Sequence, residues 1–259
     1  PEWYGWKTLP IPFCPDGFQV IEAQRRPSQT IEFKLGYFYL QDAASMLPVE
    51  LFHFDPLAAP LVLDLAAAPG GKTTHLVART LDRGLVIAND SSASRVNMLR
   101  AVLQDWGAIN TAVVNYPGEK FGKWFGGVFD RVLLDAPCSM ENLSHTESRP
   151  DRTISDREHR GLAGRQFSLL ESALRAVKPG GEIVYATCTL APLEDEGVLD
   201  GLLRRYPGKV TVAAISPALL PVPAPALSAA GEMAYLPEVQ HAVRLWPHLY
   251  QTTGFFTAL

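Results

Sequence analysis

Apolar positions along the chain come in short unbroken runs. Leu61-Val62-Leu63, Leu85-Val86-Ile87-Ala88, Ala112-Val113-Val114, Val132-Leu133-Leu134 and Ile183-Val184-Tyr185-Ala186 are each followed closely by polar residues. Runs that do not alternate predict strands buried on both faces, the pattern of a parallel sheet. The segments between them predict helices: one starting at Lys72 and closing near Leu81, one over 91–106, one over 161–177 and one over 193–205. Lys178-Pro179-Gly180-Gly181 stops the third. A sixth strand is predicted at 209–213, and 243–246 with 254–257 read as a closing hairpin at the sheet edge. Strands alternating with helices mean an α/β fold.

The first forty residues follow another rule. Residues 17–21 and 30–34 alternate well enough for two short strands, with Arg25-Arg26-Pro27 in the turn between them. Trp3, Tyr4, Trp6, Phe13, Phe18, Tyr37, Phe38 and Tyr39 crowd the same region. Rings beside arginines can stack on RNA bases. The favoured reading is a small sheet packing its rings on the main domain, because aromatics dominate cores. Residues 41–47 begin a helix leading to the central strand. The expected organisation is a β-rich extension over 1–45 and a main domain over 46–259.

Composition narrows the function. The chain has 259 residues, 47% of them hydrophobic, and a net charge of -4. That balance excludes a bulk electrostatic grip on nucleic acid, so any such binding uses a local patch. The three cysteines, Cys14, Cys138 and Cys188, are far apart and odd in number, and the six histidines show no ligand spacing. Neither a disulfide framework nor a metal site is expected. No apolar run is long enough to span a bilayer, and a reducing, cytoplasmic setting is the expectation. The chain starts at Pro1 in an aromatic segment, which reads as a fragment or an excised domain.

The chemistry gathers at strand ends. Residues 61–74, LVLDLAAAPGGKTT, read as a buried strand, a turn of small residues and a helix start. Small residues let a ligand lie on the backbone, and the helix end offers free N–H groups. The turn is neither G-x-G-x-x-G nor a phosphate loop, but the layout is that of a nucleotide-type site. Asp90, twenty residues past Gly70, stands where a carboxylate takes ribose hydroxyls. Asp135 and Cys138 follow the fourth strand and Cys188 the fifth. If these strands are neighbours, both thiols face one pocket. A free cysteine is ordinarily a small buried hydrophobe, but two at strand ends, one with an aspartate three residues before it, favour a nucleophilic role.

These residues resemble the RNA (cytosine-5) methyltransferases of the Nop/Sun family, closest to its bacterial ribosomal RNA branch of RsmF type. The resemblance runs from FCPDGF at Phe13 to the end. It includes YLQDAASML, AAAPGGKT, DAPCS, YATCTL and RLWPHLYQTTGFF. It implies a Rossmann-like class I methyltransferase: a mostly parallel seven-stranded sheet with helices on both faces, binding S-adenosylmethionine over the turn. On that resemblance Ala67, Ala68, Pro69, Gly70, Gly71 and Lys72 hold the donor's amino acid part and Asp90 its ribose. Arg95 assists, Asn115 reads the adenine, and Asp135 lines the junction of donor and cytosine. Cys188 matches the family nucleophile, Cys138 the second cysteine tied to product release, and Lys72 orients the base or Asp135.

Carbon 5 of cytosine is a poor nucleophile. Addition of the Cys188 thiolate to carbon 6 makes carbon 5 electron-rich, and a hydrogen bond from Asp135 to ring nitrogen 3 helps carry the charge. The base must leave its stack to be reached. The implied partner is RNA, ribosomal or alternatively transfer RNA, and the expected state is a monomer. Three departures from the family stand out. Met140-Glu141-Asn142-Leu143 replaces a glycine-led segment, Ala186 replaces a serine, and Asn115 replaces an acid. Arg149, Arg152, Arg157 and Arg160 could contact phosphate, but Asp151, Asp156 and Glu158 interleave as on a solvated face. Two other classes remain: a donor-binding RNA assembly factor without turnover, which leaves both cysteines and Asp135 unused, and a methyltransferase of protein or small molecules, which needs no covalent thiol.

Overall fold

The structure is a computed structural model and describes residues 4–140 and 154–259. Strands β1 (Lys7–Ile11) and β2 (Cys14–Glu22) form an antiparallel hairpin. The strand predicted at 17–21 lies within β2, but its partner precedes it. Residues 30–34 are not a strand. Ile31–Lys34 is one helical turn, capped by the Thr30 hydroxyl, which accepts from the Phe33 N–H at 3.3 Å. That local cap satisfies a helix-end donor and overrides the alternating pattern. Ile11, Phe13 and Cys14 are buried in one apolar cluster with Val62, Leu76 and Val77, so the hairpin is packed onto the main domain. The Tyr4 and Trp6 rings stack with centroids 5.2 Å apart, and Phe38 bridges Trp6 to Phe33. Phe18 and Tyr37 stay exposed.

The apolar runs become β3 (Leu61–Asp64), β4 (Leu85–Asn89), β5 (Thr111–Val114), β6 (Phe129–Asp135) and β7 (Val177–Thr187). The closing hairpin is β8 (Val243–Leu245) and β9 (Phe255–Ala258). Among the described residues the main sheet has seven strands in the order β8-β9-β7-β6-β3-β4-β5. Every pair from β7 to β5 is parallel. Helices α1 (Gly71–Thr80), α2 (Ala93–Trp106) and α3 (Asp156–Ala176) connect them, and α4 (Glu196–Arg205) follows β7. Alternate strand residues enter separate clusters: Val62, Leu133 and Val184 one, Leu63, Val132, Leu134 and Tyr185 the other. Both sheet faces are therefore covered, which is why the runs do not alternate. Burying each such Val or Leu contributes roughly 1.5–3 kcal/mol.

The strand predicted at 209–213 is absent. Ala213 donates to the Leu259 carbonyl at 2.8 Å, but the place beside β7 belongs to β9, with Phe256 opposite Thr187. All four residues of β9 are buried, whereas 209–213 buries only Val212. The more apolar segment takes the interior position. Residues 41–47 divide into a 3-10 turn, Ala43–Met46, and a short helix, Leu47–Glu50, with Asp42 capping the turn. Helix α3 starts before its predicted 161 because Ser155 and Glu158 form a capping box. No helix among the described residues is long and apolar enough to cross a membrane.

Candidate active site

The turn after β3 surrounds a cavity of about 230 Å³. Its lining includes Ala67, Ala68, Pro69, Gly71, Lys72 and Asp135, all singled out in the sequence. Gly70 closes the turn at φ 120°, a left-handed conformation suited to glycine. A Cβ at Gly71 would lie 2.7 Å from the Tyr39 ring, which packs across the first turn of α1. That end of α1 carries no side-chain cap, so its N–H groups are open to an acceptor.

Asp64, Tyr39 and Gln41 also line the cavity, and sequence reasoning does not single them out. Their signals lie within LVLDL and YLQDAASML. Asp64 is buried. One of its oxygens accepts from the Thr73 hydroxyl at 2.7 Å and the other, Oδ1, has no hydrogen-bond partner. Burial pushes its carboxyl up to about 7, with Asp135 and Asp90 adding and the Thr73 bond and Lys72 opposing.

Asp90, Arg95 and Asn115 are not among the lining residues; Asp90 and Arg95 bond the backbone of the turn at Ala68, and Asn115 bonds Asp90. The Asp90 carboxylate accepts from the Ala68 N–H at 3.3 Å and the Ser92 N–H at 2.9 Å. Arg95 lies 3.4 Å from Asp90 and donates to the Ala68 carbonyl. The exposed Asn115 donates its amide to the Asp90 carbonyl at 2.6 Å.

The second half of the site comes from β6 and β7. They are parallel neighbours with Asp135 opposite Ala186, so the loops beyond them lie side by side. Cys138 and Cys188 are free thiols with sulfurs 3.1 Å apart. Lys72 reaches over from α1, its Nζ 2.7 Å from Asp135 and 5.2 Å from the Phe255 ring centroid. Cys188 is held below the ordinary thiol value, first by the hydrogen bond from Cys138 and further by the Lys72 charge, against burial and Asp135. Cys138 is pushed far up by that same bond, by burial and by the charge on Cys188. The two thiols share one hydrogen bond and lose their protons as a pair, the bond favouring ionisation of one sulfur and opposing that of the other. Met140 has φ 57°, and its N–H lies against the Cys138 sulfur. The left-handed backbone gives a physical reason for the glycine with which the resembling family leads this segment.

Behind the thiol loops run three buried acids, Glu194, Asp195 and Glu196. Arg244, itself 1% exposed, forks onto Glu196 at 2.6 and 2.9 Å and reaches Asp195 at 3.3 Å and the Leu190 carbonyl at 3.1 Å. Away from the cavity lining, the ligand atoms of Cys14, Glu50 and His75 lie within 4.8 Å of one another. Burial, and then Glu50, push the Cys14 thiol up to about 12. Of the four arginines weighed between phosphate contact and a solvated face, Arg157 and Arg160 lie exposed on α3. Arg149, Arg152, Asp151 and Glu141-Asn142-Leu143 lie outside the described residues.

Solved structures share this fold. A methyltransferase homolog protein from Pyrococcus horikoshii matches with a TM-score of 0.86 at 31% identity, over 99% of this chain and 78% of its own. NSun6 from the same organism, with SFG, matches with a TM-score of 0.71 at 27% identity, over 93% and 58%. Fold and site thus define a Rossmann-like domain of the methyltransferase class. The profile of the family described as 16S rRNA methyltransferase RsmB/F matches residues 52–259. The chain belongs to that family, as the motif resemblance implies. The ribosomal RNA small subunit methyltransferase F of Erwinia tasmaniensis is 40% identical over 259 residues. Its counterpart in Escherichia coli O9:H4 is 38% identical. Each alignment takes in 98% of this chain and 52% of the relative. The chain spans about half the length of the curated relatives it matches.

Proposed function

We propose that the chain methylates carbon 5 of a cytosine in small-subunit ribosomal RNA, using S-adenosylmethionine and a transient bond from Cys188 to the base. The observation that carries this reading is the pair of sulfurs 3.1 Å apart beside Lys72 and Asp135, which themselves line the cavity over the small-residue turn. The names of the curated relatives support the substrate class. The residues fit the donor: the unpartnered Asp64 oxygen suits an ammonium group, and the uncapped start of α1 suits a carboxylate.

Each residue then has a task. The Cys188 thiolate adds to carbon 6, forming a sulfur–carbon bond and moving the ring's π electrons toward carbon 5. Asp135, positioned by Lys72, acts in its protonated form and donates to ring nitrogen 3 as the negative charge of the thiolate passes into the ring. When bound, S-adenosylmethionine supplies an electrophilic methyl group. Loss of the carbon 5 proton to a base then restores the carbon 5–carbon 6 double bond and expels the Cys188 sulfur. Cys138 donates its S–H to that sulfur as it leaves.

An RNA carrying 5-fluorocytosine tests this, because fluorine cannot depart as a proton. With donor present, the parent protein should form a stable adduct and Cys188→Ala none. An adduct of equal yield in Cys188→Ala would falsify the assignment. With ordinary RNA, Cys138→Ala should accumulate an adduct that the parent does not.

A further inference from the structure

Glu194 is the buried acid whose side chain reaches the second cysteine's loop. Its side chain is 0% exposed. Oε2 accepts from the Ser139 N–H at 3.0 Å and from Gln166 Nε2 at 2.8 Å, and Oε1 lies 2.7 Å from His159 Nδ1. Gln166 Nε2 also donates to the Pro137 carbonyl at 2.9 Å. The residues on either side of Cys138 are thus tied to one carboxylate, one directly and one through Gln166. A buried carboxylate is tolerable only with such a set of donors.

Cys188 is held by other means. Its neighbour Thr187 ends β7 and donates to Asp195 at 2.6 Å, and Arg244 fixes the Leu190 carbonyl. Tyr185 reaches Glu194 only through the backbone carbonyl, at 2.5 Å, a bond that a side-chain change leaves in place. Removing the Glu194 carboxylate therefore takes away the acceptor of the Ser139 N–H and the anchor of Gln166, leaving the Cys138 loop tied by the Ser139 hydroxyl to Thr189 at 2.9 Å and by Gln166 to Pro137, while the Cys188 loop keeps its own bonds.

We propose that Glu194 is a positioning residue for release: it holds Cys138 against Cys188 so that the covalent RNA adduct can break down. This rests on the role given to Cys138 above. A sulfur displaced by about 1 Å loses roughly a hundredfold in rate, and a partial displacement roughly tenfold.

The test separates the first methyl transfer from release, using labelled donor in a single turnover and the lifetime of the protein–RNA adduct. At a pH above the acid limb of adduct formation, Glu194→Ala should transfer the first methyl within about threefold of the parent and release RNA roughly tenfold more slowly or worse. Glu194→Gln should restore release. Its carbonyl can serve Ser139 and Gln166, and its amide can turn toward His159. Equal losses in transfer and release, or parent-like release in Glu194→Ala, would overturn the proposal. If Glu194→Ala does not fold, Gln166→Met takes its place, with slowed release supporting the idea and unchanged release refuting it. Cys138→Ala runs alongside. If it too releases normally, the role of Cys138 is wrong; if it accumulates adduct and Glu194→Ala does not, only the Glu194 proposal is wrong.

Discussion

Replacing Arg244 with leucine should be among the most costly single changes in this domain. The guanidinium is the cation of a buried cluster, with a two-pronged grip on Glu196, a bond to Asp195 and a ring contact to Trp246 at 5.2 Å. Leucine fills part of the volume but leaves two buried acids without a cation. Breaking a buried pair from one side costs about 3–5 kcal/mol. For a domain of this size each kcal/mol lowers Tm by roughly 2–4 °C, so a drop of roughly 6–20 °C is expected. The sign with pH is also defined. In the parent, burial already holds Asp195 well above the usual carboxylate range. A carboxyl raised in the folded state stabilises at low pH and loses that contribution as pH rises through the window above its unfolded value near 4. Without Arg244 a proton must replace the missing cation, so the deficit should grow from about pH 5 to pH 8. Urea unfolding of parent and variant at both pH values measures it. A deficit under about 1 kcal/mol at pH 8, or one that is larger at pH 5, would refute the reasoning.

Further outcomes follow from the same geometry. Removing the Cys138 thiol with Cys138→Ala should move the acid limb of adduct formation upward by roughly one to two pH units, because a bond to a charged acceptor is worth roughly 1.5–3 kcal/mol; an unmoved limb in rapid-quench assays would count against the thiolate at Cys188. Asp64→Asn should gain stability over the parent as pH rises from about 4 to about 7, by up to roughly 4 kcal/mol, since Asp64 pushed up to about 7 costs the fold most when ionised. Chemical denaturation at several pH values reads this, and a gain that is greatest in acid would contradict it. Met140→Gly should raise stability by roughly 0.5–1 kcal/mol by relieving a left-handed backbone at a non-glycine residue, visible as a small rise in Tm. A clear fall would show that the Met140 side chain holds the loop.

Several parts of this protein were determined by the sequence alone, because their causes are local. The strand–turn–helix at 61–74 is contiguous, and apolar runs bounded by small or polar residues dictate it. The ends of β6 and β7 are likewise visible, so Asp135, Cys138 and Cys188 could be named before any coordinates. The strand misread at 30–34 shows the limit of period alone: one threonine hydroxyl chose a helical turn. Tertiary structure decided what depends on distant pairing. Only the adjacency of β6 and β7 brings two sulfurs fifty residues apart to 3.1 Å. Only competition for the place beside β7 sets β9 there instead of 209–213. The acids at 194–196 fall at the start of the helix predicted over 193–205 and are buried, because Arg244, Gln166 and Ser139 arrive from elsewhere in the chain. Local pattern reports which face of an element is apolar. Which partner covers that face, and which charge meets which, is settled by long-range packing that no local period encodes.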